Sequence, residues 1–114
     1  MKSIQIILIL IGTSWASAGL AQDKVIEDTL IVKGICGMCK ERIENAAYGK
    51  GVKFVSWDQA TDKLSLAFRS DKTSIAEIEQ RVLKAGHSTS EHNASAENYA
   101  KLPDCCRYEE VPKH

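Results

Sequence analysis

Four cysteines offer the main chemistry of this sequence, and they come as two close pairs: Cys36-Gly37-Met38-Cys39, and the vicinal Cys105-Cys106. A CxxC at a helix start brings two sulfurs within reach of one soft metal ion, or of each other as a disulfide. The same spacing marks redox centres and half of a zinc site. The amides of a helix N-terminus add partial positive charge and Lys40 adds a full one, so both thiols are expected to ionise more easily than free cysteine. Neither spacing suits an ordinary structural disulfide, which leaves metal or redox chemistry as the better use.

Other side chains are weighed beside these. Cys105 and Cys106 supply further thiolates if the tail that carries them folds back over the loop, turning a two-sulfur site into one of three or four sulfurs. Adjacent side chains rarely converge on one point without a strained turn, so the competing readings are a tail that holds a second ion or serves as a docking segment, and an idle or oxidised pair. Met38 offers a weak thioether ligand, with loop packing preferred. Trp57, Tyr99 and Tyr108 are read as packing groups, and His92 and His114 as solvent-exposed.

The elements that must position the cysteines follow from periodicity. Val25 to Ile35 is rich in β-branched residues and reads as a first strand, with Gly34 permitting the turn into the loop. From Cys39 to Ala47, Cys39, Ile43, Ala46 and Ala47 form one helical stripe, stopped by Gly49 and Gly51. Val52, Val55 and Trp57 mark a second strand with an irregularity near Phe54. Leu64, Leu66 and Phe68 alternate with polar and small residues in a third, paired to the second as a hairpin. Ser74 and Glu77 make a capping box ahead of a second helix that Gly86 ends. Ser88 to His92 is the place for a short, polar edge strand. Ser95 caps a further turn or two of helix carrying Tyr99 and Leu102, closed by Pro103. This order is the split βαβ arrangement: an α+β, ferredoxin-like βαββαβ sandwich with a four-stranded antiparallel sheet, two helices on one face and a short C-terminal tail.

Met1 and Lys2, an apolar run from Ile4 to Ile11, and small residues at Ala16-Ser17-Ala18 and Gly19-Leu20-Ala21 read as a cleavable export signal. The organisation is therefore a signal peptide over 1–21, a domain over 22–93 and a tail over 94–114. Of the chain's 114 residues, 15 are basic and 15 acidic; removing Lys2 leaves 14 against 15. With no run of either sign, the balance argues against nucleic acid and against an anionic membrane surface as partners.

Between about Val25 and Asn93 the chain resembles the heavy-metal-associated domain family, which includes copper chaperones, modules of metal-pumping ATPases and periplasmic mercury-binding proteins. The resemblance rests on the Gly-apolar-CxxC loop at 34–39, on Ile43-Glu44 and Ala46 after Cys39, and on Gly51-Val52 with Val55 and Trp57. Leu64, Leu66, Phe68 and the stretch from Ile78 to Gly86-His87 complete it. It implies that Cys36 and Cys39 bind a soft ion and hand it to a partner by ligand exchange. It also places His87 beside the cysteine loop, as a third ligand or a proton-dependent trigger for release, with an exposed loop histidine as the competing and preferred reading. This chain departs from the family in a loop one residue shorter before Cys36, a polar fourth strand and the added tail.

The expected function is that of a periplasmic metal carrier, not an enzyme, with Cu(I) the most fitting ion and Hg(II) or Zn(II) as alternatives. Two soft thiolates suit Cu(I), whereas zinc wants about four ligands. The partner implied is a metal-transporting P-type ATPase or another metal-handling protein. The rival readings are a thiol-disulfide oxidoreductase built on the same CxxC and a scavenging module. The oxidoreductase resembles a larger fold with a proline facing its cysteines, and the prolines here are Pro103 and Pro112.

Overall fold

The computed structural model describes residues 24–114, so the expected signal segment lies outside the described residues. Three strands, β1 (Val25–Ile31), β2 (Val52–Trp57) and β3 (Lys63–Arg69), form an antiparallel sheet in the order β1-β3-β2. Successive side chains of a strand point to opposite faces, so the alternation in β3 sends Leu64, Leu66 and Phe68 to one face, where all three are buried. Leu30 and Trp57 flank Leu64 across the two ladders on that face. The expected irregularity in β2 is a shift of register between Val52 and Phe54.

Two helices, α1 (Gly37–Ala47) and α2 (Ile75–Lys84), supply the rest of the core. Cys39, Ile43 and Ala47 on the first and Ile78 and Val82 on the second join Trp57 and the β3 side chains in one cluster. The start of α2 is capped as its sequence indicates, with the Glu77 amide donating to the Ser74 hydroxyl. The Glu77 carboxylate accepts from the Thr73 hydroxyl, one residue further back. At the other end Gly86 takes a left-handed φ of +99°. A Cβ at that position would lie 2.7 Å from the Asn98 carbonyl and 3.0 Å from the Leu102 side chain, so this glycine also lets the tail come close.

The expected fourth strand shrinks to a single bridge, and the sheet has three strands among the described residues rather than four. Thr89 pairs with Val32, flanked by the bonds from the Lys33 amide to the Ser88 carbonyl and from the Ser90 amide to the Ile31 carbonyl. The reason is local. Ser88, Thr89 and Ser90 carry no apolar side chain to extend the pairing, and the Thr89 hydroxyl accepts from the Glu91 and His92 amides, turning the chain away. The first strand likewise stops at Ile31, short of Ile35.

The tail is part of the folded body. Ser95 caps α3 (Ala96–Ala100), and a 3-10 turn over Asp104–Cys106 packs against α1. Leu102 and Cys106 are buried in the common core. Burying a leucine contributes about 1.5–3 kcal/mol toward the docked tail, against the entropy lost in ordering the segment. No helix among the described residues is long and apolar enough to cross a membrane.

Candidate metal centre

Where β1 ends, the chain passes through Val32, Gly34 and Ile35, all buried, into the cysteine loop. Trp57 forms the floor. Its indole N–H donates to the Val32 carbonyl at 2.9 Å, so the largest core side chain is buried with its polar atom satisfied. A Cβ on Gly34 would come within 2.8 Å of that ring and 3.1 Å of the Cys39 Cβ, which explains the glycine by close approach. The Ile35 carbonyl accepts from the Gln59 side chain and from the His114 amide, each at 3.1 Å, tying the loop to the β2–β3 turn and to the end of the tail.

Cys36 is the N-cap of α1 and Cys39 lies in its first turn, on the buried face. The two sulfurs are 3.7 Å apart. The docked tail adds Cys106, and the Sγ atoms of Cys36, Cys39 and Cys106 all lie within 4.8 Å of one another. A trigonal centre with metal–sulfur bonds of about 2.3 Å sets its three sulfurs about 4 Å apart, so this nest fits a three-coordinate soft ion with little adjustment. All four cysteines are free thiols.

The three thiols are not equivalent. Burial opposes charge on Cys36, but the Cys39 and Met38 amides and the Cys39 and Cys106 thiols point at its sulfur and together hold its pKa below the usual cysteine value. Cys106 is pushed the other way: burial comes first, then its hydrogen bond to Cys39 and repulsion from the neighbouring sulfurs. Of these two, Cys36 is therefore the more readily ionised.

The other expected groups fall elsewhere. Cys105 turns away from the nest that its neighbour enters, and its thiol donates to the Met38 thioether at 3.4 Å while its carbonyl accepts from the Cys36 thiol at 3.5 Å. One of the vicinal pair points inward and one outward, so no strained convergence is needed. His87 is buried outside the sulfur group: Nδ1 donates to the Lys33 carbonyl at 2.8 Å, and the ring stacks on Tyr108 at 5.8 Å. Burial and the nearby Arg42 charge outweigh that hydrogen bond and keep its pKa below the usual histidine value. Lys40 does not serve the thiols as expected. Its ammonium pairs with Glu44 and donates to the Trp57 carbonyl, so its charge is engaged by those two groups. Of the remaining histidines, His92 is exposed and pairs with the buried Glu79.

Tyr108 has more to do than packing. Its hydroxyl accepts from the Ser88 amide at 3.0 Å and donates to the Gly86 carbonyl at 2.9 Å, while its ring meets His87 and Tyr99. It thereby fastens the tail to the end of α2, two residues beyond the inward cysteine. The signal for this docking in the sequence is the group Tyr99, Leu102 and Tyr108, bulky residues in an otherwise polar tail.

The described residues thus form a small α+β domain with a CxxC loop at the junction of its first strand and first helix. Two solved structures share the architecture: a candidate copper-ion-binding protein from Bacillus anthracis, with 23% identity and a TM-score of 0.56, and the CopZ metallochaperone, with 21% and 0.54. The match to the first covers 60% of this chain and 99% of that one; the match to the second covers 56% and 98%. At these identities the likeness is one of fold. No protein-family profile matches the chain, and no curated protein matches its sequence at a significant level.

Proposed function

We propose that this protein is an exported carrier of a soft metal ion, Cu(I) in the first place. It holds the ion on Cys36, Cys39 and Cys106 and passes it by ligand exchange to a metal-handling partner such as a metal-transporting P-type ATPase. The observation that carries the reading is the convergence of three sulfurs from two parts of the chain in one buried nest. Three thiolates suit Cu(I), and Hg(II) belongs to the same class of guest. Zinc would want a fourth ligand, and the remaining cysteine, Cys105, turns its sulfur toward Met38. The periplasm as the compartment rests on the signal read in residues 1–21. That one of the fold neighbours is named for copper-ion binding and the other as a metallochaperone supports the choice of ion.

Titration of the reduced protein with Cu(I) against a competing chelator tests this. One tight equivalent is expected, lost in Cys36→Ser, weakened in Cys106→Ser and retained in His87→Ala. Rapid dithiol turnover without tight metal binding would replace the carrier by an oxidoreductase.

A further inference from the structure

Outside the nest lies a second meeting of soft sulfurs. Met38 stands between Cys36 and Cys39 in the loop, and Cys105 directly precedes Cys106 in the tail, so each outer sulfur is the chain neighbour of an inner one. Their contact, Cys105 Sγ to Met38 Sδ at 3.4 Å, is the only sulfur contact among the described residues that faces solvent, and Met38 is 50% exposed. A methionine half in water at a helix start gains little by packing there. The thiol donating to its thioether shows that the two lone-pair-bearing atoms already face each other. Three rotatable bonds let the methionine sulfur draw back to admit an ion.

We propose that Met38 and Cys105 form a second, outer binding site for a soft monovalent ion at the mouth of the three-thiol nest. The proposal rests on the carrier reading, since the nest gives the outer pair something to serve. The Cys105 carbonyl accepts from the Cys36 thiol, so an ion at the outer pair sits one peptide unit from the inner ligands while still open to solvent. A thioether with one thiol selects by chemistry: Cu(I) and Ag(I) accept a neutral sulfur and low coordination number, whereas Zn(II) wants about four charged or nitrogen ligands. The outer site therefore filters the guest before the inner one closes on it. It binds more weakly than the nest, having two ligands instead of three and no burial.

The test uses Ag(I), a redox-inert probe of Cu(I) chemistry, added to the reduced protein while the methionine methyl resonances are followed. The chain has two methionines, Met1 and Met38, so the assignment is direct. The first equivalent is expected to fill the nest, leaving the Met38 methyl close to its apo position; the second shifts it. Met38→Leu and Cys105→Ser each lose the second equivalent and keep the first, and Zn(II) does not move the methyl. A second equivalent that persists in both variants, or a Met38 methyl unmoved by two equivalents, overturns the proposal. Failure of the first equivalent to bind tightly would instead overturn the carrier reading.

Discussion

Replacing Tyr108 by phenylalanine removes one oxygen and keeps the ring, so it isolates the hydrogen bonds that fasten the tail. The hydroxyl accepts from the Ser88 amide and donates to the Gly86 carbonyl, and Ser88 is 3% exposed. Losing a net hydrogen bond costs about 1 kcal/mol, and leaving a buried N–H without a partner costs about 1–3 kcal/mol in desolvation. A total of about 2 kcal/mol shifts the equilibrium between docked and lifted tail by about thirtyfold, at about 1.4 kcal/mol per factor of ten. Amide hydrogen exchange reads this directly. Protection of the Leu102 and Cys106 amides, which bond to Tyr99 and Pro103 within the tail, should fall by about that factor. Protection in β3 should stay as it was. Because Cys106 rides on the same segment, Cu(I) affinity should fall with it. An unchanged tail, or equal loss of protection in tail and β3, would refute the view that Tyr108 holds a separately opening cover.

Three further outcomes are expected. Gly34→Ala forces a methyl group to within 2.8 Å of the Trp57 ring, and overpacking of this kind should cost about 1–3 kcal/mol, read as a lower midpoint in urea. Apo-protein stability should fall as pH drops below about 6.5: the unfolded chain takes up a proton at the ordinary histidine value, while buried His87 resists it until lower pH. Denaturant titrations between pH 7.5 and 5 should show this slope, and His87→Gln should remove that part of it. Lys40→Met should leave the pH midpoint for alkylation of Cys36 in place, because the ammonium is held by Glu44 and the Trp57 carbonyl; a rise in that midpoint would contradict the geometry.

Local signals carried much of the architecture. The alternation of Leu64, Leu66 and Phe68, the Ser74–Glu77 cap and the stop at Gly86 each depend on residues close in sequence, and each appears in the structure where the pattern places it. Cys36 and Cys39 were legible for the same reason, since the turn from strand to helix brings them together without help. What was not legible depends on tertiary docking. Which of Cys105 and Cys106 points inward is decided by how Leu102 and Tyr108 seat the tail on the end of α2. Lys40 adjoins Cys39 in sequence, yet Glu44 and a carbonyl of β2 claim its charge, a competition that spacing does not reveal. The fourth strand failed because the Thr89 hydroxyl offers the following amides a turn in place of a ladder.

X-ray absorption at the copper edge of the protein loaded with one equivalent of Cu(I) bears most directly on the central claim. Three sulfur neighbours are predicted, falling to two in Cys106→Ser. Two sulfurs in the unaltered protein, with no change in that variant, would contradict a site completed by the tail.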